Sequence, residues 1–288
     1  MRPKNLKTKI FLDSGDPAET KKIIKILGFI DGQTTNPTLI AKNPDAIKRI
    51  QSGKKFTKKE IYDFYKQVVS EISKVIPQGS VSVEAYADFN TTSEEMLKEA
   101  REMFSWISNA HVKLPIIKEG LTVASLAIKE GMRVNMTLCF SEEQAAAVFL
   151  ATKGAKKGDV FISPFIGRLD DIGENGISLV TNILRCYKKA NDDHVEVLAA
   201  SVRNLPHLLS SLSIGCDIIT APFSVLSEWA EKKCPIPNSA YVYENQLKTI
   251  PFKDALNKNN NWQKIQLENE LTKKGIEKFC LDWTALIA

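Results

Sequence analysis

Histidine and cysteine are scarce in this sequence, and long apolar runs are missing. The three histidines, His111, His194 and His207, form no H-E-x-x-H or other helical ligand pair, so a zinc site of that type is excluded. The five cysteines, Cys139, Cys186, Cys216, Cys234 and Cys280, are odd in number, and none lies within three residues of another. This argues against a disulfide framework or a cysteine-based zinc site, and for a reducing compartment. No apolar stretch approaches the ~18 residues of a membrane span. Near the start only Ile10-Phe11-Leu12 is continuously apolar, short of the ~7 to 15 residues of a secretory signal. We therefore expect a cytoplasmic protein with no membrane partner. Excess charge is also small. Thirty-nine Lys plus Arg against 34 Asp plus Glu leave +5, too little to argue for a nucleic-acid partner.

The composition that remains, 43% hydrophobic and 25% charged, is ordinary for a globular chain and argues against a largely disordered or collagen-like one. Its 288 residues allow two domains of ~150 residues or one α/β barrel of ~250. Short β-branched or apolar runs decide between these. They place strands at 9–13, 29–36, 81–86, 110–115, 134–140, 160–165, 196–203 and 217–220. The starts of the first and eighth lie 208 residues apart over seven intervals, about 30 each, the length of a βαβ unit. Strand followed by helix, eight times, is the pattern of a (β/α)8 barrel.

Helix starts support the pattern. Asp16-Pro17 sets a capping carboxylate before a proline at the first helical position. Thr57-x-x-Glu60 and Ser141-x-x-Gln144 read as capping boxes, the first with Phe56 and Ile61 placed as a hydrophobic staple. Ile61, Phe64, Val68, Ile72 and Val75 recur at helical spacing in the longest gap, which we read as an extra helix between strands two and three. No low-complexity stretch or Pro/Gly-rich linker divides the chain. Pro235, Pro237 and the asparagine-rich run 257–261 mark 235–263 as a surface excursion, and a final helical stretch at 264–286 is interrupted at Gly275. We read one α/β domain over residues 1–288, a (β/α)8 TIM barrel, with 235–288 as a C-terminal extension.

Barrel side chains alternate between the interior and the helix layer. If Ile10 and Leu12 face the helices, Asp13 faces inward. The same alternation sends Glu84, Lys113, Asn135, Thr137, Ser163, Ser201 and Arg203 inward, toward the C-terminal ends of their strands, where barrel enzymes keep their chemistry. Taken singly, a lysine or arginine is usually a solvated surface charge, two acids can form a buried salt-bridge set, and strand hydroxyls commonly bond to backbone. Buried charges are costly unless paired or functional, so it is their convergence that points to chemistry.

A lysine in an apolar cavity without metal ligands suggests a Schiff base. Lowering an amine of pKa ~10.4 by three units needs about 4 kcal/mol, which desolvation and neighbouring positive charge can supply. An iminium then serves as an electron sink for carbon–carbon cleavage, while a carboxylate takes the proton from the hydroxyl of the departing carbon. Thr137 is placed to hold a water carrying protons between Glu84 and substrate. Arg168 and Arg203 suit a phosphate at the far end of the substrate.

With these residues in view, the sequence resembles the transaldolase family. Ile10-Phe-Leu-Asp-Ser-Gly-Asp16 resembles its first strand. Asp31-Gly-Gln-Thr-Thr-Asn-Pro-Thr38 resembles its D-G-x-T-T-N-P-[ST] signature, with Gln33 where valine or alanine is usual. Val112-Lys-Leu-Pro115 with Glu119-Gly-Leu121 resembles the Schiff-base strand and the segment after it. Asn135-Met-Thr-Leu-Cys-Phe-Ser141, Ile162-Ser-Pro-Phe-Ile-Gly-Arg168 and Ala200-Ser-Val-Arg-Asn204 resemble strands five, six and seven. The segment from Leu271 to Trp283 resembles the C-terminal helix of the small branch, which also contains fructose-6-phosphate aldolase.

The resemblance implies reversible transfer of a dihydroxyacetone unit from sedoheptulose 7-phosphate or fructose 6-phosphate to glyceraldehyde 3-phosphate or erythrose 4-phosphate, in the pentose phosphate pathway. Carried over by position, Lys113 is the Schiff-base lysine and Asp13 the proton acceptor for cleavage. Glu84 and Thr137 manage the catalytic water. Thr35, Asn36, Asn135, Ser163 and Phe165 bind the ketol unit, and Arg168, Ser201 and Arg203 hold phosphate. The resemblance implies sugar phosphates as partners, no cofactor and no metal, and a homo-oligomer, with the small branch suggesting rings of five or ten. Two segments, 42–78 and 235–263, are longer than that branch usually carries. Glu84 and Phe165 resemble the transferring type, since the aldolase carries glutamine and tyrosine there, and a phenylalanine has no hydroxyl to place a water. A cleaving fructose-6-phosphate or dihydroxyacetone aldolase is the alternative. A non-catalytic barrel binding an anionic partner is a more distant one.

Overall fold

The computed structural model describes residues 2–243, 245–257 and 260–288. Eight parallel strands close into a barrel, in chain order around the ring. They are β1 (Lys9–Asp13), β2 (Gly32–Thr34), β3 (Ser80–Glu84), β4 (Ala110–Pro115), β5 (Val134–Cys139), β6 (Val160–Pro164), β7 (Val195–Ala199) and β8 (Ile218–Ala221). The ring closes where Ile10 pairs with Ile219.

Around it run α1 (Pro17–Leu27), α2 (Pro37–Ala41), α3 (Pro44–Gln51), α4 (Lys58–Val75), α5 (Ser93–Phe104), α6 (Lys118–Lys129), α7 (Glu142–Ala151), α8 (Ile166–Asp170), α9 (Gly176–Ala190), α10 (Leu205–Ser213), α11 (Phe223–Glu231) and α12 (Glu270–Thr284). The long gap after β2 thus holds three helices, α2, α3 and α4. The segment after α11 adds a short parallel ladder of Lys248–Thr249 on Glu174–Asn175. Within the surface excursion, Glu244, Lys258 and Asn259 lie outside the described residues. Among the described residues no helix is long and apolar enough to cross a membrane.

Local sequence explains the helix starts. The Asp16 carboxylate accepts from the Ala18 N–H ahead of α1. Thr57 and Glu60 form the reciprocal capping box of α4. Ser141 caps α7, but Gln144 departs from the expected box. Its Oε1 accepts from the Phe140 N–H at 2.8 Å, one residue before the cap, and its Nε2 donates to Thr272 Oγ1 at 2.8 Å. A buried amide is thereby satisfied by a residue 128 positions away. In α4, Ile61, Tyr65, Val68, Val69 and Ile72 are buried, while the predicted Phe64 and Val75 are half-buried at the edge of that stripe.

Gly275 does not interrupt a helix, contrary to its reading from sequence. The helix α12 runs through it unbroken. A Cβ there would lie 2.5 Å from Leu138 Cδ2 and 2.8 Å from Arg168 Nη1, so the residue permits close approach rather than ending a helix. Thr272, Gly275, Ile276, Phe279 and Trp283 form the buried face of α12, at the i, i+3, i+4, i+7 and i+11 positions of one helical stripe. They lay this helix over the mouth of its own barrel. At the opposite end the interior is filled by Phe11 edge-on to Phe161, His111 stacked on Phe161 at 4.0 Å, and the Lys9–Glu196 ion pair. Space remains at the C-terminal ends of the strands.

Candidate active site

A cavity of about 230 Å³ opens there, lined in part by Asp13, Asn36, Lys113, Ser163, Phe165, Arg168 and Ser201. Alternation along short strands brings these residues together from β1, β4 and β6 and from the segments just past β2, β6 and β7. Lys113 is buried, with Nζ 2.9 Å from Glu84 Oε2 as an ion pair and donating to the Thr35 carbonyl at 3.2 Å. Register explains the pair, because Glu84 of β3 stands directly opposite Lys113 of β4.

Asp13 accepts from Thr34 Oγ1 at 2.6 Å, and Thr34 also bonds Thr220 across the β1 strand. Burial pushes the Asp13 carboxyl up; the Thr34 hydrogen bond and then the Lys113 charge oppose this. Burial likewise pushes Glu84 up, against the pull of Lys113 and then Arg168. Burial thus biases both acids toward their neutral forms.

The cavity floor is a hydrogen-bonded chain. Ser163 Oγ donates to Asn135 Oδ1 at 2.6 Å, and Asn135 Nδ2 donates to Ser82 Oγ at 3.0 Å. Asn36 caps α2 by accepting from the Leu39 N–H, which fixes its side chain at the rim. Thr137 is fully buried, and its hydroxyl has no hydrogen-bond partner among the described residues.

Thr35 and Arg203 sit otherwise than their expected roles suggest. Thr35 turns its side chain outward, where Oγ1 bonds the Tyr65 hydroxyl at 2.6 Å and donates to the Ser82 carbonyl. Its own carbonyl, not its hydroxyl, meets Lys113. The same Tyr65 hydroxyl accepts from the Glu84 N–H at 2.9 Å. β7 ends at Ala199, and Ser201 takes a left-handed φ of 56°, so the zigzag stops before Arg203. Ser201 lines the cavity, whereas Arg203 forks onto Asp171, with Nη2 2.6 Å from Oδ2, in a half-exposed pair outside the cavity wall. Arg168 belongs to α8. Its guanidinium lies 5.3 Å from the Phe165 ring centre and 5.6 Å from that of Phe279, and it makes no ion pair among the described residues. Burial pulls its pKa down while the Glu84 charge supports it.

Lys42, just past α2, and Lys278 of α12 also line the cavity, and sequence reasoning missed both. Each reads locally as a surface charge, and only the docking of α12 beside α2 brings them to one opening. Lys278 pairs with Asp282, which also accepts from Thr38. Among the described residues, no group of His, Cys, Asp and Glu is arranged to hold a metal ion.

The profile of the transaldolase/fructose-6-phosphate aldolase family matches residues 10–288. The chain belongs to this family. It is 41% identical over 220 residues to a probable transaldolase of Dehalococcoides mccartyi, covering 76% of this chain and 89% of that protein. It is 35% identical over 277 residues to a probable transaldolase of Methanococcus maripaludis, covering 96% and 98%. Among solved structures, 3-hexulose-6-phosphate synthase from Salmonella typhimurium superposes with a TM-score of 0.50 at 12% identity, over 78% of this chain and 95% of that one, a likeness of fold alone. As a member of the transaldolase family, the chain is an enzyme of transferase type, with Schiff-base chemistry on sugar phosphates.

Proposed function

We propose that this enzyme transfers a dihydroxyacetone unit from sedoheptulose 7-phosphate or fructose 6-phosphate to glyceraldehyde 3-phosphate or erythrose 4-phosphate, with Lys113 as the nucleophile. The observation that carries the reading is the buried Lys113 amine, 2.9 Å from Glu84 and sharing one cavity with Asp13. A proton passed from Nζ to Glu84 leaves a neutral amine and a neutral carboxyl, and the bias of buried Glu84 toward protonation favours that exchange.

The amine adds to the ketose carbonyl. Glu84, through a water held against the Thr137 hydroxyl, then protonates the departing hydroxyl, so that water leaves and an iminium forms. Asp13 takes the proton from the hydroxyl on the carbon that leaves. The carbon–carbon bond breaks, its electrons enter the iminium as an enamine, and the shortened aldose departs with a new carbonyl. The acceptor aldehyde runs these steps backwards. Asn36 and Ser163 hold hydroxyls of the retained unit, with Asn135 supporting Ser163 from below and Phe165 packing the wall. Thr35 contributes its carbonyl to Lys113. Arg168 and Ser201, joined by Lys42 and Lys278, face the phosphate. Arg203 takes part after its pair with Asp171 opens.

Phe165, without a hydroxyl to place water on the enamine, favours transfer over net cleavage. The reading includes a cytoplasmic setting, on the odd and scattered cysteines, and a homo-oligomer. A single monomeric mass in native mass spectrometry rejects self-association.

Borohydride reduction with fructose 6-phosphate tests the chemistry. The expected result is a stable adduct on the peptide containing Lys113, with aldose release rising when an acceptor aldehyde is supplied. Absence of the adduct rejects the Schiff base, and equal release without acceptor replaces transfer by cleavage.

A further inference from the structure

Strand β5 carries one residue more than its neighbour requires. Met136 pairs with Ile162 of β6, yet Cys139 pairs with Pro164, so the bulge falls between them. Within it Leu138 takes φ 62°, a left-handed conformation that a bulky residue rarely adopts and that persists only when its surroundings impose it. Bulges beside active sites commonly re-aim a side chain, and the residue before this one is Thr137.

The surroundings that hold the bulge come from the tail helix α12. Thr272 Oγ1 donates to the Leu138 carbonyl at 3.0 Å and accepts from Gln144 Nε2 at 2.8 Å. Gln144 Oε1 in turn accepts from the Phe140 N–H, so the backbone on either side of Cys139, at the C-terminal end of the bulge, is tied to one buried hydroxyl. One turn along α12, Gly275 leaves room for the Leu138 side chain. All of Leu138, Gln144 and Thr272 are buried, where a hydrogen bond is not exchanged for one to water.

We propose that Thr272 is a positioning residue for catalysis: through the bulge at Leu138 it aims the Thr137 hydroxyl at the Schiff-base centre. The proposal rests on the reading that Thr137 holds the catalytic water. With the latch cut, the bulge relaxes and Thr137 turns from its line, while α12 stays docked through Ile276, Phe279 and Trp283, so that the sugar and phosphate contacts, Lys278 included, stay in place. The proton-transfer steps slow and binding does not change.

The test compares Thr272→Val, Thr272→Ser and Thr137→Val in the full chain. Thr272→Val is expected to lower kcat about tenfold, as a small misplacement of a catalytic group does, with KM for fructose 6-phosphate within about twofold. Thr272→Ser, which keeps the hydroxyl, is expected to restore kcat. If Thr272→Val does not fold, Thr272→Cys, of similar size with a weaker donor, must show the same kcat loss at unchanged KM. A valine variant that loses thermal stability yet turns over at the parent rate overturns the latch while leaving the Thr137 reading intact. A Thr137→Val variant of parental rate overturns both.

Discussion

Gly275→Ala probes how the tail helix meets the barrel, because two effects of opposite sign compete there. Alanine in a helix interior gains about 0.8–1 kcal/mol over glycine. Against this, the new methyl would lie 2.5 Å and 3.0 Å from the two Leu138 methyls and 2.8 Å from Arg168 Nη1. Leu138 is wholly buried and its backbone is held in the left-handed region, so it has little freedom to yield. Overpacking of this kind costs about 1–3 kcal/mol. The packing term wins, and the variant is expected to lose up to about 2 kcal/mol. At about 2–4 °C per kcal/mol for a domain of this size, the melting temperature falls by up to about 8 °C. The displaced guanidinium adds a kinetic signature, in which KM for a phosphorylated acceptor rises several-fold while that for glyceraldehyde barely moves. Urea denaturation and steady-state kinetics on the same preparation read both. A variant about 1 kcal/mol more stable than the parent, with unchanged KM, refutes the docking of α12 described here.

Two further outcomes are expected. Lys113→Ala removes the charge that holds Glu84 down against burial, so the folded pKa of Glu84 rises further above its unfolded value of ~4.3. The neutral carboxyl is then favoured by the fold, and stability is greatest at low pH and is lost as pH rises through the raised folded value. The inactive variant should match the parent most closely near pH 4–5 and fall behind toward pH 8; a gap that stays flat in denaturation curves over that range contradicts the buried pair. Asp171→Ala frees Arg203 at a stability cost of about 0–1 kcal/mol, as for an exposed pair. KM for phosphorylated acceptors is expected to fall a few-fold, and an unmoved KM removes Arg203 from phosphate binding.

Much of this site was legible because strand alternation and inward charge are local properties. β1 and β4 have the bounds their residues predict, and Asp13 and Lys113 follow from them. The reading fails where the backbone leaves the zigzag. Ser201 turns left-handed and carries Arg203 off the wall. Residues 29–31 and 35–36 lie outside β2, and once Thr34 faces inward, Thr35 must face out. Gly275 looks like a helix breaker by propensity, and only its approach to Leu138 explains it. Lys42 and Lys278 have no local signal at all, since their meeting depends on tertiary docking.

The Tyr65 hydroxyl has a wider consequence. It belongs to α4, in the outer ring, yet it bonds the Thr35 hydroxyl and the Glu84 N–H, while Lys113 touches both the Thr35 carbonyl and the Glu84 carboxylate. Trp106 and Trp283 each pack on the Tyr65 ring at 5.8 Å. Wall and scaffold thus form one mechanical loop. Engineers who treat the peripheral helices as free ground for stabilising swaps will find that changes around Tyr65 surface as altered turnover, far from any atom the sugar touches.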